Sequence, residues 1–239
     1  MFLNDYRVES DGTVRISAAQ ASRFAKEVAG DFNPIHDPDA KRFCVPGDLL
    51  FCLVLSKYGI SQRMSFTFTG MVGDNVGLRF PEAPGASIEV TDDAGKTYLR
   101  VERSGDVSTD PQLVERLARN YVAFSGQNFP YILAPLMARH KVMINIERPL
   151  VIYESMSFDL SRLDLTDPRL DLTDATLDVA GKRGDAFLHF RFSAGGETVG
   201  TGLKKLVLSG LREYDQAELQ RFIDLYNSRK PVELRAAAS

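Results

Sequence analysis

Ala29-Gly30-Asp31-Phe32-Asn33-Pro34-Ile35-His36 is the stretch from which the rest of the chain can be read. It places a carboxylate, Asp31, and an imidazole, His36, five positions apart on one short segment. Pro34 fixes its own φ and pushes Asn33 towards an extended conformation. Two groups able to move protons are therefore held on a stiffened loop, as acid–base catalysis requires. Asn33 and Pro34 are read as residues that orient the loop.

On the N-terminal side, Ser17-Ala18-Ala19-Gln20 reads as a capping box. Ala21, Phe24, Ala25 and Val28 follow at helical spacing, and Gly30 is placed to end that helix in a left-handed cap. On the C-terminal side, Asp37-Pro38-Asp39-Ala40 reads as a helix cap with proline in the first turn, so both acids are structural. Val45-Pro46-Gly47-Asp48 then leads into Leu49-Leu50-Phe51-Cys52-Leu53-Val54-Leu55, which is apolar all round and predicts a helix buried on every side. Segments 61–72, 76–80, 86–91 and 96–107 carry strand signals, with a hairpin turn at Asp93-Ala94-Gly95.

The second half repeats this order. Asp110-Pro111 opens a helix with Leu113, Leu117, Tyr121 and Phe124 on one face. Ser125-Gly126-Gln127-Asn128-Phe129-Pro130 can then be laid beside Ala29–Pro34, with the asparagine and phenylalanine exchanged. A second apolar helix at Tyr131–Met137 and strands at 148–160, 175–180, 186–193 and 197–208 follow, with a turn at Gly195-Gly196. A last helix from Asp215 to about Arg229 carries Leu219, Phe222, Ile223 and Tyr226 on one face and is expected to pack on the sheet. The chain therefore reads as two repeats, 1–109 and 110–239. Gln127 stands where Asp31 stands, and Ile132 where His36 stands. An amide cannot act as a general base, so the second repeat is read as catalytically degenerate.

The octet, with Asp37-Pro38 and Ala40 after it, resembles the signature loop of the MaoC-like, (R)-specific enoyl-thioester hydratases. Over its whole length the chain also resembles an uncharacterised bacterial protein family, which implies no activity. The hydratase resemblance implies an α+β double hot-dog fold: two tandem repeats, each an antiparallel sheet wrapped around a buried helix. It further implies hydration of a 2-enoyl thioester or dehydration of a 3-hydroxyacyl thioester, a lyase activity without cofactor or metal. Asp31 would activate the water, and His36 would hold it and share the proton transfers. The substrate would be a thioester of coenzyme A or acyl carrier protein.

The resemblance also asks for a backbone N–H at the start of the buried helix, aimed at the thioester oxygen. One alignment gives that place to Phe51-Cys52, with Cys52 as donor, Phe51 against substrate and Asp48 as an ordinary helix cap. A second makes Gly47 the donor and leaves Asp48 beside the developing oxyanion. The first is preferred. Cys52 inside an apolar run reads as an inert core thiol. Lys57 and Arg63, with Lys41 and Arg42, flank the loop and helix as candidates for the phosphates of coenzyme A, although a solvated surface role suits them as well.

With 239 residues and 44% hydrophobic content the chain can build a sizeable core. A net charge of -3 supplies no general basic field for nucleic acid. No apolar run reaches the ~18 residues of a membrane span, and the first residues lack a signal-peptide pattern. Cys44 and Cys52 form no disulfide framework, and no metal-ligand spacing includes His140 or His189, so a cytoplasmic setting is expected. Asp93–Thr97 ends like a phosphate loop, but Val90 stands where its first glycine would be. Two other activities remain open: hot-dog thioester hydrolysis and non-catalytic acyl-thioester binding. The state is expected to be a monomer or a homodimer.

Overall fold

The computed structural model of the chain describes residues 2–147 and 149–231. The strands are β1 (Val8–Ser10), β2 (Thr13–Arg15), β3 (Ile60–Phe68), β4 (Leu78–Arg79), β5 (Ser87–Asp92), β6 (Thr97–Ser108), β7 (Val142–Met143), β8 (Leu150–Leu160), β9 (Arg169–Ala180), β10 (Arg183–Ala194), β11 (Glu197–Ser209) and β12 (Arg212–Glu213). The helices are α1 (Ala18–Phe24), α2 (Gly47–Tyr58), α3 (Pro111–Gly126), α4 (Asn128–Tyr131), α5 (Leu133–Arg139) and α6 (Gln216–Ser228).

Ten strands form one sheet in the order β1-β2-β4-β5-β6-β3-β8-β11-β10-β9. β3 and β8 meet antiparallel at its centre, with Ser65 opposite Ser157. Outward from that seam the neighbours are β6, β5 and β4 on one side and β11, β10 and β9 on the other. Each set of four is wired alike: the first strand at the seam, then the fourth, third and second. This is the α+β double hot-dog fold.

The run Leu49–Leu55 drives the packing. Every residue in it is 2% exposed or less, so α2 is enclosed on all sides. Burying a Leu or Phe side chain is worth about 1.5–3 kcal/mol, which outweighs the weak amphipathicity of this helix. Phe51 packs between Phe66 of β3, edge-on, and Tyr121 of α3, tilted, with ring centres 5.0 and 4.5 Å away. A second cluster, including Leu133, Leu188, Leu208, Leu219 and Phe222, lies under α5 and α6.

Two local expectations are corrected. Asp37–Ala40 starts no helix: Pro38 opens only a turn, closed by Ala40 N–H on the Asp37 carbonyl at 3.0 Å. Cys44 N–H is drawn to the Ile35 carbonyl and Val45 N–H to that of Val72, so the segment bridges to its neighbours instead of winding. Asp37 nevertheless has a structural role, accepting Lys26 at 2.8 Å and Arg229 at 2.9 Å. The Tyr131–Met137 run is not enclosed like α2. Tyr131 is 41% exposed, and α5 begins only at Leu133, with Pro135 in the first turn where its missing N–H does no harm.

Candidate active site

α1 starts on the Ser17–Gln20 capping box and runs into a wider turn, Ala25–Ala29, which Gly30 ends at φ 64°. Asp31 N–H returns to the Ala25 carbonyl at 2.8 Å, fixing where its side chain emerges. Asp31 Oδ1 accepts the Asn33 N–H at 2.9 Å, and Asn33 Oδ1 accepts that of Ile35 at 3.2 Å. These two Asx turns wind Pro34–His36 into a single helical turn and set the direction of His36. His36 Nδ1 lies 2.7 Å from the Cys44 carbonyl oxygen. A carbonyl can only accept, so in the neutral ring Nδ1 carries the proton and Nε2 keeps its lone pair. Nε2 stands 3.6 Å from Asp31 Oδ2, too far for a direct hydrogen bond. One water oxygen can sit about 2.8 Å from both atoms.

A third group joins them from the far end of the chain. The Tyr226 hydroxyl on α6 donates to Asp31 Oδ1 at 3.2 Å and accepts the buried Phe32 N–H at 3.0 Å. Burial, and then the Asp31 carboxylate, hold this phenol well above the usual tyrosine range, so it stays a donor. Phe129 packs on Phe222 and Tyr226, with ring centres 5.2 and 5.1 Å away, and anchors that face of α6 over the loop. α6 thus closes over the second core and the loop, not simply on the sheet. We predict that Tyr226→Phe destabilises the protein by about 1–3 kcal/mol, since it strips Asp31 of a donor and leaves the Phe32 N–H buried without an acceptor. Urea midpoints beside wild type check this.

α2 begins at Gly47, directly after Pro46. Its free N–H groups therefore belong to the first turn, which starts with Gly47 and Asp48. A Cβ on Gly47 would lie 3.0 Å from the Tyr153 ring and 3.1 Å from that of Phe68, so only glycine fits without moving an aromatic. This overturns the preferred sequence alignment. Cys52 lies mid-helix, 1% exposed, where its N–H belongs to the helix ladder. Its thiol is pushed well up by burial. Phe51 is fully buried and contributes core packing. Lys57 pairs with Glu9 at 2.5 Å near the other end of α2, and Arg63 bonds Ser104 at 3.1 Å on the outer sheet. Neither shares a cavity with Asp31.

Asp48 is not a helix cap either. It is 7% exposed, and its Oδ2 accepts the Ser125 hydroxyl from α3 at 2.6 Å. Lys204 of β11, 3% exposed, donates to the same Ser125 oxygen and rests over the Tyr153 ring at 4.0 Å. Burial raises the Asp48 pKa, while the Lys204 cation and the Ser125 hydrogen bond oppose the rise. Burial likewise lowers that of Lys204.

The Asp31–His36 loop, the start of α2 and the Asp48–Ser125–Lys204 chain line one cavity of about 360 Å3. Asp31, His36, Gly47 and Asp48 reach it from the first half of the chain, Ser125, Lys204 and Tyr226 from the second. Phe68, Val72, Leu133 and Leu206 supply apolar wall. Gln127 is exposed and does not line it. Among the described residues, no group of three or more His, Cys, Asp and Glu is placed to hold a metal ion, and no helix is long and apolar enough to cross a membrane.

The chain is similar to several solved structures. An acyl-CoA thioesterase II, TesB2, from Mycobacterium marinum is 12% identical, with 90% of this chain and 99% of that one covered and a TM-score of 0.44. A conserved protein of unknown function with hot-dog fold from Alicyclobacillus acidocaldarius is 8% identical over 87% and 98%, with a TM-score of 0.44. A MaoC-like dehydratase is 9% identical over 86% and 98%, with a TM-score of 0.42. Likenesses this distant carry no weight on activity. No curated protein matches the chain in sequence. Residues 1–217 match the family described as Protein of unknown function (DUF3581), and the chain belongs to that family.

Proposed function

We propose that the protein adds water to a 2-enoyl thioester, or removes it from the 3-hydroxyacyl form, with Asp31 and His36 as the acid–base pair. The observation that supports this best is the 3.6 Å gap between Asp31 Oδ2 and the free Nε2 of His36, both facing one cavity beside the N-terminus of α2. A water held across that gap loses a proton to Asp31 as its oxygen bonds to Cβ. His36 holds the water and shares in passing a proton to Cα. The charge that builds on the thioester oxygen meets the N–H groups at the start of α2, with Gly47 allowing close approach. The Asp48 carboxylate is held by Ser125, which Lys204 also bonds, and takes no part in holding that oxygen. The carrier is coenzyme A or acyl carrier protein.

In this reading the chain is two repeats, 1–109 and 110–239, of which only the first carries the acid–base pair. Gln127→Ala is then expected to change kcat less than about twofold, as for an exposed side chain away from the chemistry. A large loss there would mean that the live half was misassigned.

A carboxylate beside a helix N-terminus also suits thioester hydrolysis, and reaction in heavy-oxygen water separates the two chemistries. Hydration puts the label on the β-hydroxyl of an intact thioester. Hydrolysis puts it in a free carboxylate, and that result would replace the hydratase reading.

A further inference from the structure

We propose that Asp48 and Lys204 form a recognition site for a hydroxyl group on the acyl chain, so that the preferred substrate is a hydroxylated acyl thioester and not a plain hydrocarbon one. This rests on the thioester reading above and names its substrate class. Two oppositely charged side chains sit in a cavity wall that is otherwise mostly apolar, 7% and 3% exposed. Such a pair is costly to bury, and well-packed apolar residues in its place are often as stable. Stability alone therefore does not account for it.

Its unused bonding capacity defines the ligand. Asp48 Oδ2 is taken by Ser125, but Oδ1 is buried with no hydrogen-bond partner among the described residues. Lys204 has three N–H donors and gives one to Ser125. The site thus has one acceptor unfilled and donors to spare, and Asp48 and Lys204 balance in charge. A carboxylate on the ligand would face Asp48, and an ammonium would face Lys204. A ketone accepts but cannot donate, leaving Oδ1 unpaired. A hydroxyl does both and is neutral.

Its place in the cavity puts that hydroxyl on the acyl side. The Asp31 and His36 side chains are 28% and 12% exposed, so the reacting carbons lie nearer the mouth than Asp48 and Lys204 do. A carrier cannot enter about 360 Å3, so the pantetheine arm leads outward and the acyl chain inward. Ser125, at the end of α3, holds Asp48 and Lys204 in register by bonding both.

The test compares trans-2-enoyl-CoA substrates of matched length, plain or with a hydroxyl walked from beyond Cγ to the terminus. Calorimetric binding of the matching saturated acyl-CoA pairs runs in parallel. Plain and hydroxylated compounds share the same pantetheine amides, so a preference reports the chain hydroxyl alone. At the fitting position the hydroxylated compound should be favoured about tenfold or more, as a hydrogen bond to a charged group allows. The double variant Asp48→Leu with Lys204→Met removes both charges together and leaves neither buried unpaired. It should bring the ratio to near one, with circular dichroism verifying the fold. Equal binding at every hydroxyl position would overturn the proposal, as would a preference that survives in the folded double variant. A binding preference without turnover of any enoyl-CoA would uphold the hydroxyl site and reject the hydratase reading. Turnover of all compounds without preference would do the reverse.

Discussion

Asp31→Asn is expected to leave a folded protein whose kcat for enoyl-thioester hydration is reduced by about 10²–10⁴-fold, the usual contribution of a positioned general base. The substitution is close to isosteric. A carboxamide oxygen at the Oδ1 position still accepts the Asn33 N–H and the Tyr226 hydroxyl, so the turn that carries His36 persists. On the hydratase reading, the lost function is proton acceptance at Oδ2, the atom 3.6 Å from His36 Nε2. The melting temperature should therefore stay within about 3 °C of wild type, as for a change well below 1 kcal/mol. Acyl-CoA binding should persist too. If activity fell only because the protein unfolded, Asp31 would be a structural residue.

Gly126→Ala is expected to cost about 3 kcal/mol or more, at the upper end of overpacking effects. A Cβ at Gly126 would lie 1.7 Å from the Ala29 carbonyl oxygen and 3.3 Å from the Asp31 nitrogen. Both are backbone atoms on the segment that positions Asp31, so no side chain can swing aside. Alanine favours a helix over glycine by about 1 kcal/mol, too little to compensate. Relief must come from parting the end of α3 from the Ala29–Asp31 loop, so activity should fall along with stability. Urea midpoints measure the loss. Gly85→Ala serves as the control, since a Cβ there meets nothing within 4 Å among the described residues and should change stability by less than about 1 kcal/mol. Equal midpoints for both variants would show that the two segments are not in tight contact.

Those segments are the pair that line up in the sequence, Ala29–Pro34 and Ser125–Pro130, and their likeness was legible because it is local. The fold was legible for similar reasons. An all-apolar helix, strands of alternating burial and glycine turns at Gly95 and Gly195-Gly196 need only neighbouring residues to be read. Asp31 and His36 were found together because one short loop holds both. The remaining polar groups were not, because their partners are remote in sequence. Ser125 meets Asp48 across 77 positions, Lys204 meets Ser125 across 79, and Tyr226 meets Asp31 across 195. Two signals were present nonetheless. Lys204 shares strand parity with Leu206 and Leu208, which places a lysine on the inward face. Pro46, with its fixed φ and no N–H to give, marks the start of α2 at Gly47 and not near Cys52.

The most direct measurement of the central claim follows the conjugated-thioester absorbance of trans-2-enoyl-CoA with a thiol reagent present, for wild type and Asp31→Asn side by side. The account predicts that absorbance falls with wild type alone and that no free thiol appears. Loss of absorbance matched by released thiol, or equal rates for the two proteins, would contradict it.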